Sequence, residues 1–166
     1  MSALAVLQTQ GRLRRSALIF EREVFIMAEY IATATQTVAQ NGNISFKNEA
    51  VKGGNCIQHR SGSGIITLRG ITNQCRARYF ADFSGNIAVP AGGTAGEISL
   101  AISVSGEPVL SSQMRSTPAA VSQFNNVSAG IYIDVPAGCC ASISVKNTSS
   151  QDIEVANANL VVTREA

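Results

Sequence analysis

The chain has no tryptophan, a single histidine and only three lysines, and charged residues fill 14% of its 166 positions. An average soluble domain is about 25% charged. Each shortage excludes something. With His59 alone, the double-histidine metal site of a cupin and any two-histidine zinc site within one chain are ruled out. One histidine and no Gly-x-Ser-x-Gly elbow leave no hydrolase triad. Gly62-Ser63-Gly64 lacks the Gly-Lys-Ser/Thr of a phosphate-cradling loop, and no spacing suggests paired catalytic carboxylates. The chain therefore reads as a non-enzyme, with no metal or cofactor expected. No uncharged apolar run approaches the roughly 20 residues of a membrane-crossing helix, so membrane insertion is not expected.

What takes the place of charge is Ser (18), Thr (10) and Asn (11), beside 45% hydrophobic residues drawn mainly from Ala, Val and Ile. That content excludes charge-driven disorder. The length suits one domain whose core buries roughly two-thirds of the unfolded surface. Uncharged polar side chains favour tight strand packing and self-association, which points to an assembly protein.

The net charge of +2 is unevenly placed. Residues 1–26 carry Arg12, Arg14, Arg15 and Arg22 against Glu21 and Glu23, whereas from Met27 onward nine basic residues balance nine acidic ones. Phosphate neutralisation needs a surplus of Lys and Arg, so nucleic acid is not expected as a partner. Residues 1–26 do not follow the order of a secretory leader, with charges first and an unbroken apolar run after them. Two readings stand for them. Leu13, Ala17 and Phe20 suit one face of a short amphipathic helix, an anchor or oligomerisation arm. Alternatively, Arg22-Glu23-Val24 can be encoded as AGG-GAG-GTN, a ribosome-binding site two codons before Met27, which would make 1–26 a mis-started upstream segment.

Residues 27–166 alternate in short segments between Gly, Pro and Asn signals, the pattern of an antiparallel sandwich. Strands are expected near Tyr30–Val38, Asn43–Lys47, Cys56–Arg60, Gly64–Ile71, Cys75–Ser84 and Asn86–Val89. In Glu97–Ser105, Ile98, Leu100, Ile102 and Val104 alternate with polar or small residues, predicting one buried and one wet face. Ser105-Gly106-Glu107-Pro108 turns this strand into a hairpin with Val109–Met114. Val127, Ala129, Ile131, Ile133 and Val135 share a face, Pro136-Ala137-Gly138 ends that strand, and Cys139, Ala141, Ile143 and Val145 continue inward, leaving Cys140 outward. Ala158–Glu165 forms the last strand. About ten short strands fit an all-β, two-sheet antiparallel jelly roll, with a lipocalin-like meander as the alternative.

The order Ile98–Val109, Val127–Gly138, Ile143–Val145 and Asn159–Arg164 resembles the tumour-necrosis-factor-like jelly rolls, above all the C-terminal knobs of bacterial collagen-like exosporium glycoproteins. Residues 27–166 are also similar to small proteins of gut clostridia and their prophages. The resemblance implies a homotrimer acting as a structural or adhesive knob on a phage particle or a bacterial cell or spore surface. A host-surface glycan or receptor is its implied partner. Two departures stand out: Cys139-Cys140 occupies the turn where those knobs carry an acidic residue, and no Gly-X-Y tract precedes the domain. A monomeric carbohydrate- or anion-binding sandwich is the alternative, although such modules usually present several exposed aromatic rings.

Two constellations remain. Arg76 and Arg78 alternate on one strand face with Arg69 across the Gly70–Gln74 turn, a candidate anion, glycan or subunit contact, with Glu97 or Asp82 as candidate partners. Tyr79, Phe80 and Tyr132 are expected to bury against neighbouring subunits. The four cysteines admit a Cys56–Cys75 disulfide with Cys139 or Cys140 bridging elsewhere, a soft-ligand set with His59 that the vicinal pair argues against, or buried free thiols.

Overall fold

The computed structural model describes residues 26–166. The N-terminal helix or mis-started segment expected over 1–26 lies, except for Ile26, outside the described residues.

Twelve strands follow one another: β1 (Met27–Ala32), β2 (Gln36–Val38), β3 (Asn48–Val51), β4 (Ile57–His59), β5 (Ile66–Arg69) and β6 (Arg76–Ala88), then β7 (Ile98–Val104), β8 (Glu107–Pro108), β9 (Met114–Ser116), β10 (Asn125–Pro136), β11 (Cys140–Asn147) and β12 (Ile153–Arg164). The only helical turn among the described residues is a 3₁₀ turn at Leu110–Ser112. The first sheet runs β10-β6-β12-β1-β3, with β2 also on β12; the second runs β4-β5-β11-β7-β8, with β9 also on β7. Every pairing is antiparallel. Two open sheets face each other, which establishes the sandwich and removes the closed meander.

Small-large alternation explains how they fit. Along β6 the inward positions are Ala77, Tyr79, Ala81 and Phe83, all fully buried, so two large rings fill the space between the sheets and two methyls leave room for what faces them. Burying such a ring contributes roughly 2–3 kcal/mol. From β10 the inward series is Val127, Ala129, Ile131, Ile133 and Val135, as its periodicity requires. Pro136 closes β10 at the sheet edge, where its missing N–H leaves no ladder bond unmade.

Several expectations change. Residues 43–47 form no strand beyond a bridge from Asn43 to Lys146; Ile44 and Phe46 instead plug the core, their amides bonded to the carbonyls of Val145 and Ser63. The edge strand β3 was hidden by its polar sequence. Cys75–Ser84 and Asn86–Val89 are one strand, because Gly85 continues the ladder opposite Val127. The Ser105-Gly106 turn is present, both residues having positive φ as a two-residue hairpin loop requires, but the return is broken into β8, the 3₁₀ turn and β9. The wet face expected of β7 is absent: Ser99, Ala101 and Ser103 are buried. Ser99 is covered by Thr148 and Ser149, and Lys146, paired with Ala101, reaches the Gly106 carbonyl. Cys139 does not point inward but lies exposed in the turn before β11.

Candidate functional site

Arg76 and Arg78 leave β6 on the outer face, and both turn onto Asp134, which pairs with Arg78 across β6 and β10. Arg78 Nε donates to Asp134 Oδ1 at 2.8 Å and its Nη2 to Oδ2 at 3.0 Å, while Arg76 Nε sits 3.2 Å from Oδ2. The hydrogen bond from Arg78 holds the Asp134 carboxyl below the ordinary aspartate range. The carboxylate answering these arginines is thus Asp134, not Asp82 or Glu97; Glu97 lies 3.7 Å from Arg115. Arg69 is on β5 in the second sheet. Its carbonyl accepts from the Tyr79 hydroxyl on the inner side of β6, so the first sheet stands between Arg69 and the outward pair. The three guanidiniums expected together are divided between two sheets.

Tyr79 is likewise corrected. It is fully buried, and its neighbour Phe80 takes the outer face. There Phe80 and Tyr132 are directly paired, with ring centroids 4.9 Å apart and tilted by 48°. Register extends the row over four strands as Tyr132, Phe80, Thr163 and Met27. Tyr132 is 67% exposed and Met27 41%. The Phe80 ring lies over Gly130, where an added Cβ would come within 2.6 Å of Phe80 Cζ.

No family model and no curated protein matches the sequence. Among solved structures, Eiger TNF from S. frugiperda matches with a TM-score of 0.64 at 12% identity, covering 86% of this chain and 93% of that one. Murine APRIL matches at 0.58 with 9% identity, covering 83% and 98%. The globular domain of zebrafish complement 1qA protein matches at 0.56 with 13% identity, covering 83% and 94%. The fold is the tumour-necrosis-factor-like jelly roll.

Within this jelly roll all four cysteines are free. Cys56 is buried, its sulfur 3.2 Å from Arg164 Nη1, whereas Cys75, Cys139 and Cys140 are exposed. The latter three gather at one end of the sandwich, where Ala137 N–H bonds the Cys75 carbonyl and Gly70 N–H that of Cys139. Among the described residues no group of three His, Cys, Asp or Glu could hold a metal ion, and no helix is long and apolar enough to cross a membrane.

His59, singled out for what it excluded, proves to be a structural junction. Its side chain is fully buried, its Nε2 lies 2.9 Å from the Ser63 carbonyl and its Nδ1 3.1 Å from Glu49 Oε1. The Tyr30 ring sits 4.7 Å from the imidazole. The sequence showed no link between residues 30, 49 and 59, because each lies on a different strand: the β1–β3 ladder pairs Tyr30 with Glu49, and the closing of the two sheets brings His59 to them.

Proposed function

We propose that this jelly roll is a non-enzymatic structural and adhesive knob that assembles as a homotrimer through the outer face of the first sheet, on a phage particle or a bacterial cell or spore surface. The observation that carries this reading is the row of Tyr132, Phe80 and Met27 on the outer face of the first sheet, flanked by the mutually paired charges of Arg76, Arg78 and Asp134. A tilted aromatic pair with one ring mostly in solvent is an anchor awaiting a partner surface. The neighbouring row runs Gly130, Asp82, Val161 and Glu29, so carboxylates border the apolar row. A closed ring of three such faces would bury the aromatic pair and leave the loops free to meet a receptor.

Light-scattering mass on a sizing column tests it. Three chain masses are expected for the native protein and one for Tyr132→Arg; a native monomer overturns the trimer. In that event the monomeric carbohydrate- or anion-binding module is the better reading, favoured by the polar groove described next.

A further inference from the structure

The two sheets end side by side in β3 and β4, and along that seam runs a groove of about 740 Å³ lined by residues of both edges. That volume is within the range of small-ligand sites, roughly 300–1,000 Å³. Its chemistry is polar. Asn55, Gln58 and Thr67 present amides and a hydroxyl, Lys52 and Arg60 present cations, and Ile65, 49% exposed, supplies one apolar edge. Neither Lys52 nor Arg60 has an ion-pair partner among the described residues.

Tyr30 lines the same groove while only 1% of its surface is exposed. Its hydroxyl makes no hydrogen bond within the described residues, and since the buried side-chain polar atom left without a partner among them is Ser103 Oγ, the Tyr30 hydroxyl reaches the groove surface. Burial, and then the Glu49 charge, raise the Tyr30 pKa, so the hydroxyl keeps its proton and is available to donate. A hydroxyl that opens on the groove and is not engaged by the protein can give its hydrogen to a ligand atom there.

The electrostatics follow from bond directions. The Ser63 carbonyl can only accept, so His59 Nε2 must carry a proton. Glu49 Oε1 lies 3.1 Å from Nδ1, so the one carboxylate among the groove's lining residues is already engaged by His59. Lys52 and Arg60 leave the groove with two positive charges. Inorganic phosphate would answer those charges, but its one or two P–OH hydrogens sit on a single compact centre, too close together to reach both the cations and the second oxygen of Glu49, which is 24% exposed at its side chain. A molecule bearing one carboxylate and several hydroxyls satisfies cations, donors and acceptor together.

We propose that the groove between β3 and β4 binds an acidic monosaccharide unit, its carboxylate on Lys52 and Arg60 and its hydroxyls on Tyr30, Glu49 and Gln58. The site lies within one chain and stands without the trimer.

The full chain is titrated, by calorimetry and by amide chemical shifts, with methyl glucuronide and N-acetylneuraminic acid, and with methyl glucoside and inorganic phosphate as controls. Saturable binding of an acid is expected, with shifts at Gln58, Arg60 and Thr67. Affinity should fall about tenfold in Arg60→Ala and severalfold in Tyr30→Phe. Because Arg60 is exposed and the Tyr30 hydroxyl unpaired, both variants should keep the native melting temperature; if one does not, the wild-type shift map decides. No saturable binding of either acid, shifts clustered instead around Arg76 and Arg78, or phosphate binding as tightly as the acids, each overturns the proposal. A trimer without acid binding removes this site alone, and a monomer with it removes the trimer alone.

Discussion

The hydroxyl of Tyr79 crosses the sandwich: it starts on β6 of the first sheet and donates to the carbonyl of Arg69, on β5 of the second, at 2.6 Å. It is one of the polar ties between the two sheets, beside the Asn147 amide on the Val38 carbonyl and His59 on Glu49. Tyr79→Phe keeps the ring and removes the tie, leaving a carbonyl short of a partner. The expected cost is about 1–3 kcal/mol, read from the midpoint of urea unfolding.

Burial lifts the Tyr79 pKa from 10.0 to about 12. The folded state therefore holds this proton more tightly than the unfolded state. Its contribution is complete below pH 10.0 and drains away as pH rises towards about 12. Other groups titrate there too, so the measurement is the difference between wild type and Tyr79→Phe at pH 9 and at pH 11.5. The gap should narrow at the higher pH, and a constant gap would sink the assignment.

Asp134 serves two arginines at once. Since the hydrogen bond from Arg78 holds its carboxyl below the ordinary aspartate value, the stability it lends is present above that value and lost as pH falls through the lower folded one. All three groups face solvent, so Asp134→Asn should move the melting temperature little. The clearer result is in anion binding: with the carboxylate gone, Arg76 and Arg78 should take sulfate, seen as a sulfate-dependent rise in melting temperature absent from the wild type.

Gly130 allows the Phe80 ring to lie flat on β10. A valine there must displace the ring, whose end is 2.6 Å from where the Cβ would be, while leaving the core on the other side of the sheet untouched. Gly130→Val is expected to weaken assembly by about tenfold or more on dilution, with little change in the fold. Gly70 differs, because its added Cβ would lie within 2.0 Å of the Pro136 carbonyl oxygen and close to the Cys139 backbone. Neither can yield without opening the end of the sandwich. Gly70→Ala should destabilise by about 3 kcal/mol or prevent folding.

Thiol reactivity separates the cysteines. A small aromatic disulfide reagent should titrate Cys75, Cys139 and Cys140 quickly in native protein and reach Cys56 only on unfolding. Fewer fast thiols in protein that has been fully reduced and then freed of reductant would mean that the exposed cysteines are covered in the assembly.

The sequence by itself determined the class of the fold. Period-two alternation in residues 127–135 and 141–145, and the Ser105-Gly106 turn, are local properties, and local sterics and hydration are enough to impose them. It also placed Arg76 and Arg78 on one strand face. What it left undecided was everything that depends on which strand lies beside which. Parity put Phe80 and Tyr132 outside and Tyr79 inside only once β6 had a sheet on one side. Asp134 became the partner of the two arginines through a register 56 residues removed from Arg78. Ser99, Ala101 and Ser103 became core because other segments covered them, which no pattern within β7 records. Tyr30 and Glu49 met through the pairing of β1 with β3, and His59 joined them where the two sheet edges closed on each other. Periodicity is written along the chain, whereas long-range pairing is a competition among whole-sheet arrangements, and tertiary packing decides it.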